Sequence, residues 1–596
     1  MQRRKFIQTT LGTAAAMSPM AKLLASTSLF NLQLTLNGPA KPLMIYNNWS
    51  SYDELSDNAP LTETLAMREL DELVRLQRQG VHFDYYMMDA FWFDKDGGYR
   101  TWHKDHWPNG PDKWLNACRQ HGIMPGMWFS TNLITMGGKR VLEPIAEWQG
   151  SVATDPNILC LFEGGYLQHL HDTLQFWFSK GVRAFKFDFA YFSAATKSAK
   201  DKYSPAEIEE KNKVAFMNML KAFRQKNPDV LIVGYNGFGG DMENTFTPFR
   251  KNIDHRWLDV FDTLYCGDPR FSDVPMMNIW RSADTYSDHM VRQFEYNGLP
   301  LRRIDNCACM IGKTGTCYYR GVQAWKGMLI LEFARGGWIN VIHGNLELLT
   351  NDDAKWFGKV QNLYMNLQKT GKWATFGAIP GKAAPYGFAA KDSSGSLFTV
   401  VNPSQKIVDV KLPGAALTNG LILYTDGGYK PSVKNGTITL GPEQLVVVGY
   451  GKFASDKYQM GVDQTIDIPF AITQIATTFA VSGHNTIEAT VDPGKHKIIR
   501  ILFQQFSADG NPYRTWGGAP PDGKKMDEYL KINVAQDGKA IPTEINYDKM
   551  IWSGLSWAVA EVKLNDAVAK QLLQIQCISM EKEELTLKAD VFGIEN

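Results

Sequence analysis

The side chains of this 596-residue chain best suited to chemistry are carboxylates and rings placed at the ends of short apolar runs. Lys186 and Asp188 lie two positions apart in Phe185-Lys186-Phe187-Asp188, so an extended strand puts both on one side. A carboxylate at the end of a buried strand is costly to desolvate unless it is paired or used, and Lys186 is placed to hold Asp188 ionised. Asp284 follows later, in Trp280-Arg281-Ser282-Ala283-Asp284. An ionised carboxylate with a second, protonated one is the apparatus for cleaving a glycosidic bond, one as nucleophile and the other as acid/base. Asp262 and Asp268 are rival carboxylates nearby, and Asp268, in Tyr265-Cys266-Gly267-Asp268, is either a substrate contact or the alternative acid. The bland alternatives are a structural Lys186–Asp188 ion pair and an Arg281–Asp284 surface pair.

These residues need a scaffold, and the sequence writes one. From Leu43 the chain repeats a unit of amphipathic helix, Gly or Pro stop, and short apolar strand. Thr62 starts one helix, and Gly80 ends it before Phe83 to Asp89. Pro111 and Gly122 bracket the next, before Ile123 to Phe129, and Gly181 stops a third before Arg183 to Phe189. Ser204-Pro205-Ala206-Glu207 is a capping box ahead of a long helix and the strand Val230 to Tyr235. Leu43 to Trp49, Val260 to Cys266, Ile304 to Met310 and Gly337 to His343 complete eight strands, the profile of a (β/α)8 TIM barrel over residues 38–370. Reacting groups in such a barrel sit at the carboxyl ends of strands. Those ends carry Asn47, Asn48 and Trp49; Asp89 with Trp92; Trp128; Lys186 and Asp188; Tyr235 and Asn236; and Cys266 with Asp268. The rings of Trp49, Trp92 and Trp128 suit sugar faces, or else simply roof the barrel.

After about residue 370 the texture becomes alternating short runs separated by turns such as Asp426-Gly427 and Asn435-Gly436, which predicts an antiparallel β-sandwich over 371–455. A further C-terminal β module is expected over 456–596, with Tyr513 and Trp516 in a Pro/Gly-rich loop. No Gly-x-Gly-x-x-Gly follows the first strand, and Gly312-Lys313-Thr314 lacks the upstream Gly of a P-loop, which argues against nucleotide binding.

Lys plus Arg number 63 against 62 Asp plus Glu, and this balance gives no global attraction for nucleic acid or an anionic membrane. Seven cysteines indicate no disulfide scaffold, and Cys307, Cys309 and Cys317 make only a weak metal pattern. No metal or organic cofactor is required. Gln2-Arg3-Arg4-Lys5-Phe6-Ile7 before an Ala-rich apolar run reads as a twin-arginine-like export signal over residues 1–30, which predicts a periplasmic or extracellular protein without a membrane span.

The run from Met44 to Leu346 resembles the catalytic barrel of clan D retaining α-glycosidases, the α-galactosidases of glycoside hydrolase families 27 and 36. Phe185-Lys186-Phe187-Asp188 is similar to their Lys-x-Asp nucleophile strand, and Trp280-Arg281-Ser282-Ala283-Asp284-Thr285 to the segment that supplies their acid/base. Trp49, Met88-Asp89-Ala90-Phe91-Trp92 and Pro125-Gly126-Met127-Trp128 match the first three strand ends in order and spacing. The resemblance implies double displacement on a terminal α-linked sugar of an oligosaccharide or polysaccharide, with Asp188 as nucleophile and Asp284 as acid/base. Lys186, Asp89 and Arg281 would then orient hydroxyls, and Trp49 and Trp128 would pack the ring. One departure matters: the family has a second Asp where this chain has Ala90, so another sugar such as glucose is the near alternative to galactose. A non-catalytic polysaccharide-binding protein is the alternative from another class.

Overall fold

The computed structural model describes residues 42–49, 61–90, 92–136, 138–242, 249–312, 324–414, 419–464, 468–469, 471–515, 526–545, 555–564 and 572–595. The expected export signal, Cys317 and Trp516 lie outside them.

The first strand, β1 (Leu43–Asn47), is followed by α1 (Glu63–Arg78), whose end is capped by the Thr62 hydroxyl accepting from the Leu65 N–H and whose Ala66, Leu70 and Leu73 are buried. The unit then repeats as β2 (Tyr85–Met88), α2 (Asp112–Gln120), β3 (Met124–Ser130), α3 (Tyr166–Ser179) and β4 (Ala184–Asp188). Next come α4 (Pro205–Lys226), with Ser204 and Glu207 forming the expected capping box, and β5 (Leu231–Gly234). A short 3-10 turn at His255–Asp259 takes the place of a helix before β6 (Thr263–Tyr265). The barrel ends with α5 (Ile279–Tyr296), β7 (Ile304–Asp305), α6 (Trp325–Ala334), β8 (Ile339–Gly344) and α7 (Asn351–Thr370).

Neighbouring strands pair in parallel from β1 through β7, and β8 pairs with β1. The seventh position is interrupted: Ile304–Asp305 pairs with β6, whereas Met310–Ile311 pairs with β8, so one segment closes the ring by lending its two halves to two neighbours. The predicted eight-stranded barrel is therefore present. Leu43, Ile45, Met87, Ala184, Leu231, Val233, Ile339 and Val341 alternate inward and share one buried cluster. Gly126 is required among them, because a Cβ there would lie 2.9 Å from the Met87 sulfur and 3.0 Å from the Ala184 methyl.

Lys372–Gly377, Tyr386–Lys391, Gly395–Val401, Leu421–Asp426 and Leu445–Gly451 form an antiparallel sheet, to which Gly461–Asp463, past residue 455, adds a parallel edge strand. A three-stranded sheet of Val408–Lys411, Ser432–Lys434 and Thr437–Leu440 covers it over a core that includes Phe398, Ile438 and Val448. The C-terminal region contains two five-stranded antiparallel sheets sharing a core of Ile501, Phe503 and Val559 with Ile532 and Cys577. Among the described residues no helix is long and apolar enough to cross a membrane.

Arg281 ties the sandwich to the barrel. Its guanidinium is fully buried, pairs with Asp284 at 2.9 Å and with Asp426 of the sandwich, and donates from Nε to the Glu443 carbonyl at 2.9 Å. Burial pushes the Asp426 carboxyl up to about 6 against the pull of Arg281. Arg281→Met would remove the buried counter-charge of Asp426 in a dry interface, and a loss of about 3–5 kcal/mol is expected in urea denaturation near neutral pH. An unchanged midpoint would show that the pair does not hold the two domains together.

Candidate active site

Because side chains alternate across a strand, only every second residue near the carboxyl end of β1 to β8 reaches the barrel mouth. That parity gathers Asp89, Trp128, Lys186, Asp188, Tyr235, Tyr265, Asp305, Cys307 and His343.

Asp188 ends β4 and is 6% exposed. Its Oδ1 accepts three N–H groups, from the Phe189 backbone at 2.9 Å and from the Asn236 backbone and side chain at 3.0 Å each. Its Oδ2 accepts one, from the Trp128 indole at 3.2 Å. The chain makes this possible by turning sharply: Phe189 has φ +52°, and Gly237, at φ +104°, lets the β5 loop approach so closely that a Cβ would lie 2.4 Å from the Ala190 carbonyl oxygen. Burial raises the Asp188 carboxyl above its ordinary range, opposed by Lys186, Trp128 and Asn236.

Lys186, two residues earlier, points the same way, but its ion pair is with Asp89, 2.8 Å away, and its ammonium lies 4.1 Å from the centre of the Tyr235 ring. The alternative of a structural Lys186–Asp188 ion pair is set aside accordingly; Lys186 favours the ionised Asp188 through its field. Burial disfavours the ammonium, yet Asp89 and the other negative groups around it hold its pKa above the usual lysine value. The Tyr235 ring stacks on Tyr265 with centroids 4.3 Å apart and planes 10° from parallel. The Tyr235 hydroxyl donates to Asp305 at 3.0 Å, and the Tyr265 hydroxyl donates to Asp268. Asp268 is thus bound to the rim of the same cluster, where its charge and that of Lys186 both act on the Cys307 thiol. Trp49, half-buried, meets the His343 ring edge-on at 6.1 Å. His343 is fully buried, and burial followed by the Lys186 charge pushes it down to about 3, so its imidazole is neutral.

Four expected site residues are elsewhere. Trp92 is fully buried among Phe93, Tyr99, Trp102, Phe129 and Trp177, and its indole donates to the Trp128 carbonyl, so it supports Trp128 rather than a ligand. Cys266 follows Tyr265 and so has the outward parity; it joins the helix-side cluster with Phe294 and Met290. Arg281 and Asp284 lie in the first two turns of α5 and face the sandwich, where Asp426, Tyr386 and Tyr424 feel the Asp284 charge. They do not join the Asp188 cluster, because the segment is helical there and not a continuation of β6. Conversely, Tyr265, Asn236, Asp305 and His343 belong to the cluster although the sequence reading gave them no role. Counting inward parity from β6, β7 and β8 would have found Tyr265, Asp305 and His343.

Among the described residues no group of three or more His, Cys, Asp or Glu is arranged to hold a metal. Cys307 and Cys309 belong to different clusters, because the interruption of the seventh strand shifts the inward parity.

Neither a family model nor a curated protein sequence matches this chain. Among solved structures it is similar to the galactosidase domain of an α-galactosidase–sucrose kinase, at 13% identity and a TM-score of 0.46 over 69% of this chain and 54% of that one. It is also similar to α-galactosidase I from Mortierella vinacea, at 12%, 0.44, 70% and 100%, and to trehalose-6-phosphate hydrolase from Bacillus licheniformis, at 12%, 0.44, 70% and 100% respectively. Likeness at this level does not bear on activity, which rests on the site itself.

Burial pushes the Asp305 carboxyl up to about 7, reinforced by Glu332 and opposed by the Tyr235 hydroxyl and Lys186. A carboxyl that keeps its proton in the folded chain and releases it in the unfolded one removes stability as pH rises from about 4 to about 7. Asp305→Asn is expected to raise stability at about pH 8 by on the order of 2 kcal/mol and to change it little at about pH 4, as urea denaturation at both values would read. An equal effect at both would contradict a protonated Asp305 in the folded chain.

Proposed function

We propose that this chain is an exported retaining glycoside hydrolase that cleaves a terminal α-linked sugar, with Asp188 as nucleophile and Asp268 as acid/base. The observation that carries the reading is the unequal treatment of the two Asp188 oxygens. Among the described residues three donors occupy Oδ1 and fix the plane of the carboxylate, while Oδ2 receives only the Trp128 indole and keeps a lone pair for the anomeric carbon. Oδ2 attacks that carbon, the glycosidic C–O bond breaks, and the leaving oxygen takes the proton of Asp268. In the second half Asp268 removes a proton from water, the water oxygen attacks the anomeric carbon, and the bond to Asp188 breaks to release the sugar. Retention of configuration follows from the resemblance to clan D enzymes. Export rests on the twin-arginine-like sequence of the first 30 residues.

Asp268 takes the acid role in preference to Asp284 because it hangs from Tyr265 at the rim, half-buried, and acts on Cys307 within the Asp188 cluster, whereas Asp284 is tied to Arg281 at the domain interface. Asp305 is a second reading, favoured by its raised pKa of about 7, which keeps it protonated near neutrality. Asp89, held by Lys186, and Trp49 at the rim are the hydroxyl and ring contacts. The buried Ala90 gives its N–H to Asp89 Oδ1 at 2.9 Å and offers no carboxylate of its own, which weakens the case for galactose and leaves glucose or another α-linked sugar in play.

Hydrolysis of a panel of α- and β-nitrophenyl glycosides tests the assignment. Activity on one α-glycoside is expected, with Asp188→Asn lowering kcat by at least about 1,000-fold. Asp268→Asn should slow poor leaving groups far more than good ones, whereas Asp284→Asn should affect stability more than leaving-group dependence. If the leaving-group effect appears with Asp305→Asn or Asp284→Asn instead, the acid moves to that residue, and an active Asp188→Asn enzyme overturns the nucleophile. The activity should rise with pH through a group titrating above the ordinary Asp range, because Asp188 must be ionised to attack and burial opposes that.

A further inference from the structure

Residues 266–278 link β6 to α5 without helix or strand, yet most of them are buried. A buried loop must find partners for its backbone N–H and C=O groups outside regular structure. Here much of the supply comes from the other domains. From the sandwich, the Glu443 carboxylate accepts the Met277 and Asn278 N–H groups at 2.6 and 2.7 Å. From the C-terminal module, the Trp557 indole donates to the Ser272 carbonyl at 3.0 Å, and Arg514 Nη2 donates to the Phe271 carbonyl at 3.3 Å and to the Asp273 carboxylate at 2.8 Å. Phe271, Met277 and Ile279 also share a buried cluster with Leu555, Trp557 and Phe503 of that module.

We propose that Arg514 and Trp557 are positioning residues of the barrel mouth: by fixing the loop at Phe271 to Asp273 they hold Asp268 where the Tyr265 hydroxyl meets it. This rests on the reading of Asp268 as the acid. The loop is pinned on both sides of Asp268, by β6 and Tyr265 before it and by the C-terminal module after it. Asp273 reinforces the contact from within: burial pushes its carboxyl up to about 8, and Arg514 is the group that pulls it back towards ionisation. The C-terminal module is on this account a part of the catalytic architecture, in addition to anything it binds on its own surface.

The test uses the full chain with Arg514→Ala, Arg514→Lys and Trp557→Phe, the last of which keeps an aromatic ring in the core but removes the N–H donor together with part of the buried indole. Amide hydrogen exchange over 266–278 is expected to quicken at least about tenfold in Arg514→Ala and Trp557→Phe, with β4 unchanged and Arg514→Lys partly restored. Unchanged exchange in both variants overturns the proposal whether or not the chain hydrolyses any glycoside, and quickened exchange in β4 as well overturns it in favour of general destabilisation. On an active enzyme, Arg514→Ala should reproduce the Asp268→Asn pattern, slowing poor leaving groups at least about tenfold more than good ones with little change in KM. A uniform loss across leaving groups would also overturn the role. A wild-type chain inactive on every glycoside would sink the hydrolase reading alone, since the exchange result still decides the clamp.

Discussion

A single buried ammonium organises the mouth of this barrel. Lys186 is 3% exposed, and such a charge survives burial only if the groups around it are arranged to repay the loss of water. The Asp89 carboxylate supplies the direct ion pair, the Tyr235 ring offers its negative face, and Asp188 adds a second negative charge nearby. The same charge suppresses protonation of His343 and draws down Asp188, Asp305 and Cys307 against burial. One lysine thereby couples the ends of β2, β4, β5, β7 and β8. Because the ammonium is already engaged by Asp89, Asp188 is oriented by neutral donors, the indole of Trp128 and the amides of Phe189 and Asn236.

The accessory domains answer a different demand. The interrupted seventh strand and the long loop after β6 leave that side of the barrel with few ladder hydrogen bonds of its own. Buried side chains make up the difference. Arg335 reaches Asp288 of α5, Glu332 of its own helix and Asn306 beside β7, while the Tyr386 hydroxyl of the sandwich donates to the same Asp288. Arg281, Glu443, Arg514 and Trp557 do the equivalent work for the loop after β6. Ionic groups of this kind do not stabilise a fold by much in net terms, but the loss of either partner is costly, which makes the relative placement of the three domains specific.

Local patterns carried most of the fold. The Ser204–Glu207 capping box, the Thr62 cap and the helix stops at Gly80, Gly122 and Gly181 are short-range devices, and the structure has helices bounded at each of them. The nucleophile strand was legible for the same reason: Lys186 and Asp188 are two apart on a strand, and alternation alone places them on one face. The reading went astray where period and not composition decided. Arg281 and Asp284 are three apart, which brings them together on a helix, and the segment is the start of α5. The resemblance of this segment to an acid/base motif rests on residue order, which does not say which face of a helix each side chain takes. Trp92 failed for another reason, since an aromatic at a strand end serves core and ligand equally well until its neighbours are known.

By itself, then, the sequence determined the barrel, the two β domains and the carboxylate at the end of β4, because each follows from periodicities of two or of about 3.6 residues and from turn chemistry within a few positions. Tertiary structure alone decided that Lys186 belongs to Asp89, that Asp268 and Asp305 share the mouth with Asp188 through Tyr265 and Tyr235, and that Asp284 belongs to the domain interface. The physical reason is that a charge inside a protein is governed by whatever lies within a few ångströms of it. Those neighbours lie far apart in the chain, 97 residues for Lys186 and Asp89 and 145 for Arg281 and Asp426, and no local pattern encodes them.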